Sequence, residues 1–545
     1  ASDVYKRQCL WMGERGIEEI GMRIREMQVN HEKQPLGCTC GYPVFSWITE
    51  GCKGKRQKQA RMRIFLDSEG KREVYDSDWQ QDIKSTAFCP NVQLSPRTRY
   101  FWLVQVRTER GEKITSPVSW FETGKEQETW YGTWLTPEKT QNQESAQKGA
   151  GKHFFVPEDL VSARFYLCTR GNPKIFINKK KVSNGYRVLA NKEEEIPSYM
   201  IHNVTSFLKK GKENVLQFWD GEVLGELHME SSTGRETVLA TEETWESVVS
   251  DAACTEKKGE QEPEDRQDRA LKFSKFPEAL HQYASALLPW KQYLLSGDEI
   301  QLAEQYGTMQ KWVEDIHTVD KALCGTADQG LVSAAVYYES ILCTAKAAKI
   351  LEIREDAAYY KKLAKEVKQA FSEAYLEKEE GPYTQSLTAR ILILYWNMAP
   401  EKMQKQLLEQ VKEELECSEM KIQSEEPDWI YGILEIWRYS VVCGLKPTAT
   451  GSGFKRVVLA PKPERSMKGA SCTYESASGT YRTSWKWTED GIVFHAVIPF
   501  DAKARFVFPF VGKQIKVNGK LCKEAEMPEK LVLHAGTYEL SLIHI

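Results

Sequence analysis

Two carboxylates in the second half of the chain have a spacing that could support acid–base chemistry. Asp428 and Glu435 lie about two turns apart in a stretch with helical periodicity, so both could face one cleft. A carboxylic acid and a carboxylate together can protonate a leaving group and activate a water molecule. The same spacing also suits a solvent-exposed helix face. The surrounding helices therefore decide between the two interpretations.

These carboxylates belong to a block of helical periodicity at residues 277–445. Apolar residues recur there at intervals of three and four, as a helix buried on one face requires. Two acidic pairs, Asp298-Glu299 and Glu355-Asp356, fall at predicted helix starts, where carboxylates favour the helix dipole. The pattern predicts helices near 278–295, 298–316, 329–351, 355–377, 384–397, 400–416 and 428–443.

Short alternating segments predict β-sandwiches on both sides of the helical block. Two-residue hairpin turns are predicted at Asn178-Lys179 and Asn518-Gly519. The fold class is multidomain α+β. We predict a fibronectin- or immunoglobulin-like sandwich at 33–124, a linker at 125–151, a jelly-roll-like sandwich at 152–253, a charged junction at 254–276, the helical domain at 277–445 and a C-terminal antiparallel β-sandwich at 446–539.

The composition is that of a globular protein with several domains. The chain has 545 residues, of which 41% are hydrophobic and 28% charged, and its formal net charge is −3. Because there is no basic excess to neutralise phosphates, we expect no nucleic-acid partner. No apolar run is long enough to span a bilayer, so no membrane partner is expected either.

The cysteines indicate neither a disulfide framework nor a metal site. There are 13, an odd number, and the closest spacing to a ligand pattern is Cys38-Thr39-Cys40, which no second pair completes. We therefore expect reduced, buried thiols, a cytoplasmic protein, and no metal or other cofactor.

Residues 1–8 and 540–545 are predicted to be adapter-derived. The stretches DVYKRQ (3–8) and LSLIHI (540–545) can be written in codons that are reverse complements of each other. They resemble the mosaic end of transposase-based sequencing libraries, translated at both margins. On this interpretation the native start is Met12 or Met22, and no apolar signal core follows either residue.

A series of short motifs is distributed along most of the chain. They are QPLG (34–37), PVFSW (43–47), RYFW (99–102), FETG (121–124), TEETW (241–245), PW with GD (289–290 and 297–298), TQ (384–385), GLKP with GFK (444–447 and 453–455) and GTY (479–481). This set resembles the bacterial α-L-rhamnosidases, glycoside hydrolases with a helical (α/α) toroid. The resemblance implies that terminal α-L-rhamnosides are the substrates.

The same resemblance indicates that the toroid is incomplete. Six helical hairpins need about twelve helices, or roughly 200 residues. The helical pattern here predicts seven helices. The family's general acid would lie at residues 262–269, where the sequence EPEDRQDR lacks the family's Gly-Trp. The family's base segment has no counterpart between residues 400 and 427.

The resemblance also gives the candidate site residues. The family's pocket histidine aligns with Asp428, a departure from the family pattern that removes one sugar ligand. Asp428 and Trp429, which follows it, are the predicted substrate-binding residues. The catalytic residues are not identified by motif, and Asp428 with Glu435 is the pair that remains.

Three functions are therefore consistent with the sequence. The first is an α-L-rhamnosidase-like hydrolase, impaired because both carboxylate motifs are missing, with a rhamnose-containing glycoside or oligosaccharide as partner. The second is a non-catalytic carbohydrate-binding or scaffold protein. The third is an active glycosidase whose carboxylates have moved. The oligomeric state stays open.

Overall fold

The computed structural model has the predicted order of β, helical and β domains. Among the residues that it describes, no helix is both long and apolar enough to cross a membrane. The described residues are 21–136, 148–183, 185–188, 198–219, 221–242, 245–249, 278–319, 327–376, 390, 393–394, 396–417, 438–465, 467–510, 514–522 and 530–543.

The first domain packs a two-stranded sheet, β1–β2, against a five-stranded sheet in which β3 and β5 are central. Alternate residues of β5 are buried, as its apolar–polar alternation predicts. The rings of Phe45 and Trp102 meet edge to face at 4.8 Å in the core. β1 lies before the predicted domain start at residue 33. The strands are β1 Arg23–Val29, β2 Phe45–Glu50, β3 Gln57–Phe65, β4 Glu73–Asp76, β5 Arg99–Thr108, β6 Lys113–Thr115 and β7 Ser119–Glu122.

The second domain has two five-stranded sheets, ordered β11-β10-β14-β8-β17 and β12-β13-β9-β15-β16. The predicted turn at Asn178-Lys179 is confirmed, with φ of 52° and 68°, and it joins β10 to β11. The strands are β8 Lys148–Phe155, β9 Leu160–Arg170, β10 Lys174–Ile177, β11 Lys180–Lys181, β12 Tyr186–Val188, β13 Tyr199–Asn203, β14 Glu213–Trp219, β15 Glu222–Ser231, β16 Glu236–Ala240 and β17 Glu246–Val249.

The helical domain is built around its third helix. Ile341 packs with Tyr360 in one core, and Ala347 packs with Trp290 in a second core. The helices are α1 Glu278–Ser296, α2 Glu299–Val319, α3 Ala327–Ile350, α4 Arg354–Phe371 and α5 Glu401–Cys417, with π-helical turns at Ser372–Leu376 and Arg438–Val442. These confirm five of the predicted helices. Those near 384–397 and 428–443 lie mostly outside the described residues.

The C-terminal domain is one eight-stranded sheet with a shared core. The predicted turn at Asn518-Gly519 is confirmed, with φ of 49° and 74°. The strands are β18 Leu445–Pro447, β19 Arg456–Leu459, β20 Gly469–Ser476, β21 Gly479–Thr488, β22 Gly491–Val507, β23 Gln514–Val517, β24 Lys520–Leu521 and β25 Lys530–Ile543.

One pair of strands corrects the expectation of a wholly antiparallel domain. β19 and β22 are parallel, because the β20–β21 hairpin returns the chain before β22 begins.

The predicted adapter-derived segment 540–545 also has a structural position. Residues 540–543 form the end of β25, and the side chains of Leu540 and Leu542 are fully buried. The alternation of apolar and polar residues in this segment suits a strand, whatever the origin of the segment.

A bulge in β22 joins the C-terminal domain to the first sandwich. The register with β25 shifts between Ile498 and Lys503, and Asp501 there has a φ of 59°. The Asp501 carboxylate accepts a hydrogen bond from the backbone N–H of Gln57 at 3.1 Å and one from Lys455 Nζ at 2.8 Å. The bulge therefore positions a carboxylate that bridges two domains.

Candidate functional site

The turn between α1 and α2 lies where three domains meet. Gly297 has a φ of 83°, and a Cβ there would lie 3.1 Å from Ser452 Oγ and 3.3 Å from Thr86 Oγ1. Glycine satisfies both the left-handed backbone and the close approach. Tyr293 in α1 donates a hydrogen bond to the Ala449 carbonyl at 3.2 Å. The PW–GD motif thus packs the first two helices against the first sandwich and the C-terminal domain.

Asp298 caps α2 and binds the first sandwich. Its Oδ1 accepts the backbone N–H groups of Ile300 and Gln301, both at 3.0 Å, and Oδ2 lies 3.0 Å from Nε2 of His31. Burial alone would raise the pKa of this carboxyl. The bonds from His31 and the amides outweigh burial and lower the pKa. The predicted helix start at Asp298-Glu299 is confirmed.

His31 reaches Asp298 from a tight turn after β1. Asn30 and His31 have φ of 49° and 66°, and Val29 and Glu32 exchange backbone hydrogen bonds across them. Asn30 Oδ1 accepts the Val44 amide at 2.9 Å, which holds the turn. Asparagine and histidine are both among the non-glycine residues that adopt this left-handed conformation most readily. The Asn-His dipeptide was a local signal for the turn, but nothing in it indicates Asp298.

A groove of about 1100 Å³ opens beside the His31–Asp298 contact. We call it the junction groove. β1 and its turn form one wall, the end of α1 and the start of α2 form another, and residues 475–477 of the C-terminal domain form the third. Gln28, Glu32, Gln292 and Gln301 are among its polar lining residues.

Asp356 also serves the packing of the helical domain. Its carboxylate accepts the Tyr306 hydroxyl and the Gln310 amide, both at 2.8 Å, and so ties α4 to α2. Burial and the bond to Asp356 together raise the pKa of Tyr306. Glu355 and Asp356 occupy the first turn of α4, as predicted. Both acidic pairs that the sequence places at helix starts are therefore structural.

The predicted site residues lie outside the described part of the chain. This holds for Asp428, Trp429 and Glu435, and for residues 262–269. Their proposed roles remain predictions. Among the residues described, no group of three or more His, Cys, Asp or Glu side chains is placed to hold a metal ion.

A buried charged cluster between the two sandwiches gave no signal in the sequence. Lys125 Nζ bonds Glu226 Oε2 at 2.6 Å, with the two side chains 1% and 0% exposed. His228 Nε2 lies 3.0 Å from the same oxygen, and the Lys125 ammonium lies 4.8 Å from the Trp130 ring centre. Burial would raise the pKa of Glu226, but bonds from His228 and Lys125 lower this pKa to about 2.

Three family models match the chain in order. They are the Rha78A-like N-terminal immunoglobulin domain at residues 24–127, the bacterial α-L-rhamnosidase six-hairpin glycosidase domain at 277–424, and the bacterial α-L-rhamnosidase C-terminal domain at 444–521. The chain belongs to the bacterial α-L-rhamnosidase family. The match to the glycosidase domain begins after residues 262–269 and ends before Asp428.

Relatives of this α-L-rhamnosidase family member are distant. Those of Formosa agariphila and Alteromonas sp. are each 22% identical to it, over 46% and 48% of its length. The chain spans only 37% of the length of each of these curated relatives.

Two solved structures share the fold. The α-L-rhamnosidase from Dictyoglumus thermophilum has a TM-score of 0.71 at 13% identity, covering 96% of this chain and 99% of that one. The Streptomyces avermitilis α-L-rhamnosidase, complexed with L-rhamnose, has a TM-score of 0.63 at 12% identity, covering 96% and 100%.

Proposed function

We propose that this α-L-rhamnosidase family member binds terminal α-L-rhamnosyl groups and hydrolyses them slowly or not at all. Asp428 and Trp429 are the proposed sugar contacts. The choice of sugar rests on the family and on the relative complexed with L-rhamnose. The reason for proposing impaired hydrolysis is the state of the carboxylates in the helical domain.

The family resemblance implies hydrolysis with inversion, which needs two carboxyl groups with separate tasks. One protonates the leaving oxygen, and the other activates a water molecule on the opposite face of the sugar, at a separation of roughly 6.5–9.5 Å. The observation that carries the proposal is that the carboxylates of Asp298 and Asp356 are both hydrogen-bonded to neighbouring protein groups. Asp298 is held by His31 and two amides, and Asp356 by Tyr306 and Gln310. Neither carboxylate is therefore available to act as the general acid or base whose family motif is missing.

A scaffold or carbohydrate-binding protein without catalysis is the second candidate. The buried Lys125–Glu226 pair favours it, because such a pair holds the two sandwiches in one fixed arrangement. On this alternative, the protein would bind rhamnosides without any turnover.

An aryl α-L-rhamnoside assay tests the proposal. We expect little or no release of the aryl alcohol by the unmodified chain, while calorimetry with L-rhamnose detects binding that Asp428→Asn and Trp429→Ala weaken. Glu355→Gln, in the first turn of α4, is the matched control and should bind as the unmodified chain does.

The opposite result would identify the acid and base. Rapid turnover that falls about 10²–10⁴-fold in both Asp428→Asn and Glu435→Gln would show an active enzyme that uses this pair. Absence of both binding and turnover would overturn the proposal altogether.

A further inference from the structure

The junction groove contains charged groups that are already neutralised. Arg25 Nε donates to Glu50 at 2.8 Å, and its Nη2 donates to Glu475 at 3.4 Å. Lys33 pairs with Glu26 at 2.8 Å. Because both cations are paired while the Glu32 carboxylate has no partner among the described residues, the groove disfavours an anion. A neutral ligand is the better match.

Four polar side chains of the groove are free to bind a ligand, whereas those of Asn30, Ser296 and Ser476 are already hydrogen-bonded within the protein. The side chains of Gln28, Glu32, Gln292 and Gln301 line the groove and form no hydrogen bond with another described residue. A carboxamide both donates and accepts hydrogen bonds, and a carboxylate accepts them at two oxygens. This combination matches the hydroxyl groups of a sugar, each of which is donor and acceptor.

An apolar group completes the lining. Leu295, at the end of α1, lines the groove and is 49% exposed. A 6-deoxyhexose carries a methyl group where an ordinary hexose carries a hydroxymethyl group. Contact with Leu295 would favour the deoxy sugar, because a buried methylene contributes about 0.8 kcal/mol.

We propose that the junction groove is a binding site for a 6-deoxyhexosyl unit, such as L-rhamnose, within an oligosaccharide. The groove volume of about 1100 Å³ leaves room for more than one sugar unit. The proposal rests on the proposed function for the choice of sugar. It adds a site formed by three domains to the contacts proposed at Asp428 and Trp429.

The test is calorimetry with L-rhamnose and with a rhamnosyl disaccharide. We expect Gln28→Ala/Gln292→Ala to weaken binding about tenfold, since two hydrogen bonds are lost. Gln369→Ala, on the exposed face of α4, is the matched control and should have no effect. Thermal unfolding of each variant shows whether the fold is intact.

Three outcomes separate this proposal from the proposed function. Weakening by the groove variant but not by Asp428→Asn supports the groove and counts against Asp428. Weakening by Asp428→Asn alone overturns the groove and leaves the proposed function standing. Absence of binding by the unmodified chain overturns both.

Sugar preference gives a second measurement. L-mannose is the 6-hydroxy counterpart of L-rhamnose, and we expect L-rhamnose to bind about fourfold more tightly. Leu295→Ser should remove this difference. Equal affinity for the two sugars in the unmodified chain would contradict the role given to Leu295.

Discussion

Two of the junctions that the first sandwich makes are built from different groups. Towards the second sandwich, Arg164 donates twice to Glu122, both at 2.7 Å, and Lys125 pairs with Glu226. All four of these side chains are buried. Towards the helical domain, the His31–Asp298 contact lies beside the open junction groove. The first junction excludes water, whereas the second leaves polar groups accessible.

This difference indicates what each junction is for. Buried charges are tolerated only when every partner is in place, so they specify one arrangement of the two sandwiches. A polar groove contributes less to stability and offers hydrogen-bonding groups to a ligand instead. We therefore expect substitutions to affect stability at the first junction and binding at the second.

Removing the cation from the buried junction should have the largest effect. Lys125→Met leaves the Glu226 carboxylate buried without its main cation, and we expect a loss of about 3–5 kcal/mol. Hydrogen exchange of β9 and β15, read by mass spectrometry, measures this local stability. Lys84→Met is the control, because the Lys84–Glu299 pair is exposed and contributes at most about 1 kcal/mol. An equal loss of stability in both variants would contradict the proposed difference between the buried and the exposed junction.

Acid should weaken the same junction. The pKa of Glu226 is about 2 in the fold, below the unfolded value of about 4.3. Its stabilising contribution is therefore complete above the unfolded pKa and is lost as pH falls towards 2. We expect faster exchange of β15 between pH 5 and pH 2 after correction for intrinsic rates. Glu226→Gln should flatten this dependence, and an unchanged slope would show that other carboxyls dominate.

Loss of the Asp298 cap should have a smaller effect. Asp298→Ala removes the acceptor for two amides and for His31, and we expect α2 to lose about 2 kcal/mol of local stability. Glu299→Ala, one residue later, removes a favourable charge near the helix start and the exposed pair with Lys84, and should cost no more than about 1 kcal/mol. Exchange at the first amides of α2 distinguishes the two variants. A larger effect for Glu299→Ala would contradict the capping role.

The sequence predicted the elements well because their signals are local. The alternation in RYFWLVQV places β5, and the Asn-Gly pair places the hairpin between β23 and β24. The periodic apolar residues of the helical block gave helix bounds close to those of α1 to α5.

The contacts between domains had no such signal. Glu122 and Arg99 belong to the FETG and RYFW motifs, and the structure pairs them at 2.8 Å. Neither motif indicates Arg164, which completes the cluster from another domain. His31 and Asp298 are 267 positions apart, and Lys125 and Glu226 are 101 apart. A buried ion pair has no periodicity, so only the fold brings its members together.

The bulge in β22 has a consequence for how the protein is made. The first sandwich leaves the ribosome before any other described domain, yet the backbone N–H of its Gln57 donates a hydrogen bond to the Asp501 carboxylate. Lys55 in the same sandwich accepts a hydrogen bond from the Asp501 backbone at 3.1 Å. These contacts cannot form until the C-terminal domain has been synthesised. During translation, the first sandwich must therefore persist with this surface uncovered until the C-terminal domain emerges and covers it.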